Sequence, residues 1–461
     1  MQQADAAPTR DEAVFRDMPV HKAVITMALP TVVGQLIVLF YNLADTFFIG
    51  RTGNPYMVAA ASLILPVFNI SNAVSDVVGL GGGTLVSRLL GADNRDEAEK
   101  VSAFTFSAAG IGAACWSVLV LLCMNPMLKL LGASSETFAF ARTYAFCVVV
   151  LGGVPTILQL TCAQLLRAVG YSRQAGFGIS MGGILNVILD PLFMFVILPK
   201  GNEILGAGIA TMLSNVVTLV FFLITIRRIQ KSTVLSLSLR RGMPCRTSIR
   251  SVFVNGTPGG ISNLLFNFSQ VTINRLMSGY GDIPLAGIGI VLKAERIPLN
   301  TGVGICQGII PIVAYNYAAG NHDRMNETIR FSRRLGLGVA AVSIMMYELF
   351  AGPIMGMFIP EAETVRIGAG FLRARCLATP FMFMAFHILF SIQAMGEGKV
   401  AMALAVIRQL ILYIPLLFIM NALFGMYGLV WAQLIGDAVT DIISYLWFFR
   451  ILKKDKYDNL G

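Results

Sequence analysis

The sequence predicts an all-α integral membrane protein of twelve transmembrane helices in two pseudo-symmetric six-helix lobes. Three observations carry that prediction. Of 461 residues only 13% are charged while 56% are hydrophobic, where a soluble domain carries about 25% charged residues. Twelve apolar stretches each reach the roughly 20 residues that a membrane-spanning helix needs. The two halves of the chain also repeat one another, with Pro30 matched to Pro258 and Gly53 to Gly281 at a constant spacing of 228.

The spans are expected near 23–49, 57–88, 101–125, 138–164, 174–198 and 205–226, then 251–278, 284–316, 335–358, 367–393, 400–424 and 428–449. The segment before the first is charged and polar without an apolar stretch, so it is no cleavable signal, and the first helix itself directs insertion. The second span ends in "SNAVSDVVGLGGG", which lacks the GK[ST] ending and preceding strand of a phosphate loop and suits close helix packing instead. The fifth contains the Asp190–Pro191 pair, and the eighth contains "LKAERIP" with Lys293, Glu295 and Arg296. Between the sixth and seventh lies the longest polar stretch, "RRIQKSTVLSLSLRRGMPCRTSIR". The expected organisation is therefore a cytoplasmic tail 1–22, an N-terminal lobe 23–230, a basic cytoplasmic linker 231–247, a C-terminal lobe 248–452 and a cytoplasmic tail 453–461.

A net charge of +10 first suggests nucleic acid, and the distribution of the charge removes that reading. With the N-terminus inside, twenty-four basic residues fall in cytoplasmic segments, from Arg10 through Arg167 and the cluster Arg227–Arg250 to Lys456. Eight fall on the opposite side: Arg51, Lys129, Arg142, Lys200, Arg275, Arg366, Arg373 and Arg375. That is the positive-inside pattern, with both termini cytoplasmic. The basic residues then meet anionic lipid headgroups. Seven cysteines without a CxxC pair and three isolated histidines, His21, His322 and His387, give no metal spacing and no triad. With neither a nucleotide-binding loop nor an acid, His or metal cluster, the chain reads as neither a motor nor an enzyme, and no cofactor is expected.

The repeat extends further. "LPTVVGQLIVLFYNLADTFFIGRTG" aligns with "TPGGISNLLFNFSQVTINRLMSGYG", "LLRAVG" with "SIQAMG", Pro191 with Pro415, and "GAGIAT" with "GLVWAQ". Six helices per half give both halves the same orientation, an arrangement common in secondary transporters, whose substrate path runs between the halves.

Two polar stripes and two acids stand out against this apolar background. Thr31, Gln35, Asn42 and Asp45 share one face of the first span, as Asn263, Asn267, Gln270 and Asn274 share one face of the seventh. Lipid does not tolerate such stripes, so each should face protein or a water-filled cavity. Asp190 lies in "GGILNVILDPLFMFVILP", with no Lys or Arg between Arg173 and Lys200. A lone carboxylate there costs about 3 kcal/mol or more. Asn186 stacks on it one turn earlier, and Pro191 cannot donate to the Val187 carbonyl. Oxygen ligands without a basic partner suit a hard cation or a proton. Asp45 is a second acid, with no Lys or Arg in its apolar surroundings before Arg51; if the two approach, a proton or Na+ relieves their repulsion. The alternative is a protonated structural acid bonded to Asn186. Neither acid recurs in the second half, where Asp45 meets Ile273 or Asn274 and Asp190 falls near Ile414. Glu295 is expected to neutralise a neighbour in its span or to contact substrate directly. Asp437 and Asp441 face the cytoplasmic end or partner Arg408, and Asp76 is ambiguous.

"NLADTFFIG", "RLLGADN", "LLRAVGYSR", "NVILDP" and "GAGIAT" together resemble the multidrug and toxic compound extrusion family in its bacterial branch, over nearly all of residues 22 to 450. The resemblance implies two six-helix lobes forming a V and export of organic, often cationic, compounds by antiport with H+ or Na+. It implies a cation site at Asp45, Asn186, Asp190 and Thr211. Relatives that use acids of the seventh and tenth helices are not matched, since this chain has none in those spans. Gln35, Asn42, Asn263, Asn267, Gln270 and Glu295 are the expected cavity residues. The expected setting is a monomer in the bacterial inner membrane, with small organic molecules and the bilayer as partners. A lipid-linked oligosaccharide flippase of the same broader superfamily is the alternative; it should line its cavity with several arginines.

Overall fold

The computed structural model describes residues 13–238 and 242–458, with side chains as far as residue 453. The charge assignments of Arg10, Arg240 and Arg241, the side chains of Lys454 and Lys456, and the expected tail residues 1–12 and 459–461 lie outside the described residues. Among the described residues the chain is helical, without a strand. The first half contains α1 (Val20–Gly50), α2 (Pro55–Gly91), α3 (Arg95–Leu122), α4 (Ser135–Leu151 bent by 44° into Gly153–Ala168), α5 (Ser172–Ile197) and α6 (Glu203–Ile229). The second begins with α7 (Arg246–Met277). It continues through α8 (Asp282–Ala318), α9 (His322–Gly356) and α10 (Ala362–Cys376 bent by 43° into Thr379–Ala394) to the helical stretch Gly398–Lys453.

That last stretch has 56 residues, about 84 Å of helix at 1.5 Å per residue, nearly three times the roughly 30 Å hydrocarbon core. It does not run straight. Gly425 has φ 61° and ψ −144°, a conformation that a side chain would strain. Beyond it the chain folds back, so that a Cβ on Gly436 would lie 3.7 Å from Tyr413. The two arms, 398–424 and 426–453, are α11 and α12. The expected break between the last two spans is at this glycine. α7 is the least obviously membrane-like helix, because the stripe from Asn263 to Asn274 replaces part of its apolar surface.

Each half has its own core. Ile49, Ile64, Leu128, Val149 and Met194 pack together in the first, and Ile273, Ile288, Phe371, Leu417 and Leu429 in the second. Large apolar side chains such as Leu122, Val196, Leu349 and Ile442 point outward, as a lipid-facing surface requires.

The lobes meet at the end that carries the N-terminus. Phe15, Val24 and Met27 belong to one apolar cluster with Ile309, Ile312 and Leu389 of the second half. Arg324 of α9 donates to the carbonyls of Phe15 at 2.7 Å and Met18 at 2.5 Å. α2 and α7 approach so closely that a Cβ on Gly81 would lie 2.0 Å from the Val252 carbonyl oxygen, and one on Gly256 would lie 1.8 Å from that of Val77. Toward the other end the lobes part, and Asn42 and Asn274 are exposed. The cleft between the lobes therefore opens away from the N-terminus.

Candidate functional site

The polar groups of the first lobe converge where its helices depart from α geometry. α5 changes to π winding over Leu192–Ile197, directly after Asp190 and Pro191, and α4 does so over Phe146–Leu151, two residues after Tyr144. Proline removes one hydrogen bond of the α ladder, and π turns concentrate at functional sites. Asp190 is fully buried and Asn186 nearly so. Asn186 Nδ2 donates to Thr211 Oγ1 at 3.2 Å and, at 3.4 Å, to Asp190 Oδ1. Asp45, half-buried on α1, accepts from the Tyr144 hydroxyl at 3.1 Å through Oδ2. Asp45 and Asp190 bear on one another electrostatically, and Tyr144 and Tyr41 bear on both.

One oxygen on each of three residues has no partner: Asp45 Oδ1, Asn186 Oδ1 and Asp190 Oδ2, all buried. A buried acceptor without a donor carries its full desolvation cost, about 1–3 kcal/mol and more when charged. Among the described residues no group of three or more His, Cys, Asp and Glu side chains is placed to hold a metal. An ion here would rest on mixed carboxylate, amide and hydroxyl oxygens, which suits Na+ or a proton better than a transition metal. Tyr144 escaped the sequence reading because a tyrosine within a span looks like ordinary packing.

Three of the stripe residues find partners across the cleft. Gln35 donates to Gln307 of α8 at 3.0 Å. Asn69 of α2 donates to Asn267 at 3.2 Å, and Asn263 donates to Asp76 of α2 at 2.6 Å. Asn42 instead folds back on the Val38 carbonyl, and Gln270 is half-buried. Thr31 bonds to the Met27 carbonyl and lies 3.3 Å from the Ser172 hydroxyl.

The second lobe holds a different arrangement. Glu295 pairs not with Lys293 or Arg296 of its own span but with Arg375 of α10, at 2.6 Å, both buried. Arg375, counted with the outer-side bases, is thus a core residue, as is Arg167 of α4, counted with the cytoplasmic ones. Arg408 pairs with Asp437 at 2.8 Å, and Gln433 links Asp437 at 2.5 Å to Arg375 at 3.4 Å. Gln433 is the residue that the repeat aligns with Thr211. Glu295 and Asp437 thus each have a guanidinium partner in this lobe, whereas half-buried Asp441, one turn after Asp437, keeps a buried Oδ1 without a hydrogen-bond partner and is not paired with Arg408.

The MatE family model matches residues 30–192 and again 258–419. The chain belongs to the MatE family. The two matches begin 228 residues apart, the spacing of the internal repeat, so each half is one copy of the family's unit. A Staphylococcus aureus relative, "Multidrug export protein MepA", is 31% identical over 434 residues, covering 94% of both chains. A Staphylococcus saprophyticus protein of the same name is 28% identical over 432 residues, with the same coverage. Among solved structures, "Crystal structure of MATE in complex with MaL6" has a TM-score of 0.91 at 21% identity, covering 97% of this chain and 100% of that one. The MatE fold thus accounts for essentially the whole chain.

Proposed function

We propose that this MatE protein is a secondary active multidrug exporter, exchanging organic, often cationic, compounds for H+ or Na+ by alternating access. The observation that carries the reading is the set of three unpartnered oxygens on Asp45, Asn186 and Asp190 beside Thr211. A Na+ ion would find carboxylate, amide and hydroxyl oxygens there; a proton shared by the two acids would relieve their repulsion. Either event changes what α1 presents to α5, because Asp45 and Asp190 are on different helices. Pro30 lies inside α1 and offers a hinge below the site. Ion entry from the open end then favours release of bound compound, and ion departure on the other side resets the lobes. The two states differ in affinity for both ligands, which is what coupling requires.

The export reading also draws on the curated relatives, whose names describe multidrug export. The basic residues support placing both termini in the cytoplasm of a bacterial inner membrane. A flippase for lipid-linked sugars would need arginines free to meet an anionic headgroup, whereas Arg375 and Arg408 are each held by a carboxylate. The test is counterflow of a labelled organic cation in proteoliposomes under an imposed pH or Na+ gradient. Transport that follows either gradient supports the proposal; transport indifferent to both overturns it.

A further inference from the structure

Between the open cleft and the closed end, three side-chain pairs join the lobes among the described residues: Gln35 with Gln307, Asn69 with Asn267, and Asp76 with Asn263. Only the last contains a formal charge. Asp76 is half-buried at the start of a π-wound turn, Asp76–Leu80, which locally unwinds α2 at the lobe boundary. Its Oδ2 receives the Asn263 amide at 2.6 Å. Arg167, fully enclosed in α4 of the same lobe, bears on Asp76 through space but directs one N–H to Gln164 Oε1 at 3.0 Å. The partner that Asp76 touches therefore comes from the opposite lobe, and it is neutral.

Directly below this pair the backbones of α2 and α7 are in contact at Gly81 and Gly256. Opening the closed end must part these two helices, and it must take Asn263 from Asp76. The carboxylate would then face the new opening with its charge unmatched by a direct partner. We infer that Asp76 is a recognition site for organic cations at the N-terminal end, exchanging the Asn263 amide for the substrate's positive charge when the lobes part there. The exchange makes cation binding at Asp76 and closure of that end mutually exclusive. Substrate departure restores the Asn263 bond and seals the lobes, so a single carboxylate both selects cargo and times closure. Asp45 and Asp190 take no part in this step.

The inference rests on the transport function proposed above, and the experiment separates the two. Full-length protein in nanodiscs is titrated with ethidium, a permanent aromatic cation, and with dihydroethidium, its uncharged reduced form on the same ring skeleton. Wild type should prefer ethidium, Asp76→Asn should weaken ethidium by about tenfold without changing dihydroethidium, and Asp76→Glu should restore the preference. Spin labels at Ala92 and Asp323, exposed at the N-terminal ends of the two lobes, should move apart when ethidium binds wild type and not when it is added to Asp76→Asn. Equal affinity of wild type for the two dyes, unchanged ethidium binding or lobe movement in Asp76→Asn, or a loss in Asp76→Asn that Asp76→Glu does not restore would each overturn the inference. Gradient-driven ethidium transport by wild type alongside any of these results would leave the function standing and remove only the role of Asp76.

Discussion

At the scale of single residues, what distinguishes the two lobes is how a buried acid is neutralised. Asp190 and Asp45 have only neutral donors around them, Asn186 and Tyr144, whereas Glu295 and Asp437 each have a guanidinium. Two outcomes follow. Asp190→Asn removes a charge without orphaning a partner, so membrane insertion and thermal stability should hold while the ion-dependent shift in substrate affinity falls by about tenfold, within the usual coupling range. Substrate titrations with and without the ion check it. Arg375→Met should behave oppositely: it leaves Glu295 buried and unpaired, at a cost of about 3–5 kcal/mol. Its melting temperature in detergent should drop, the Glu295→Gln/Arg375→Met double variant should recover part of the loss, and ion dependence should persist. The pairing of Arg375 was illegible because "RAR" places Arg373 and Arg375 two residues apart in one polar-looking segment. Two residues are about 200° of helix rotation. Arg373 therefore points outward and Arg375 into the core.

At the scale of elements, α1 and α5 hold the candidate ion site while α2 and α7 hold the closed end. The helix periodicity of Thr31, Gln35, Asn42 and Asp45 placed them on one face, but what that face meets changes along its length. Thr31 and Gln35 contact α5 and α8 near the closed end, while Asn42 is exposed in the cleft. Contact at Gly256 leaves no room for a side chain against Val77. Gly256→Ala should cost about 1–3 kcal/mol through overpacking, all of it in the state closed at this end. The ligand-free population should shift toward lobes parted at the N-terminal end, read as a longer Ala92–Asp323 spin-label distance. An unchanged distance would show that the α2–α7 contact does not set the equilibrium.

At the scale of the whole molecule, rocking of two rigid lobes predicts that a covalent tie across the closed end stops the cycle. Asn69 and Asn267 lie on opposite lobes with side chains in hydrogen-bond contact. In a background without the seven native cysteines, all free among the described residues, the Asn69→Cys/Asn267→Cys protein should lose transport on oxidation and regain it with reductant. Transport that survives complete cross-linking would contradict alternating access between these lobes. The single-cysteine variants serve as controls for the substitutions themselves.

The sequence by itself determined the number of spans, the two-fold repeat and the isolation of Asp45 and Asp190 from any base nearby in sequence. Each is a local or periodic property: an apolar run of a given length, a recurrence at 228 residues, a carboxylate without a charged neighbour. Asn186 was also legible, because one helical turn fixes its place over Asp190, whereas Thr211 entered through family resemblance. Tertiary structure alone decided which groups share a space across helices. It brought Tyr144 to Asp45, Arg375 to Glu295 and Asp76 to Asn263, over separations of 99, 80 and 187 residues. No spacing rule reaches that far, because helix rotation and lobe packing set those contacts. The direction in which the cleft opens was equally a matter of packing. Both halves have the same orientation in the sequence, and only the approach of α2 to α7 at Gly81 and Gly256 closes one end rather than the other.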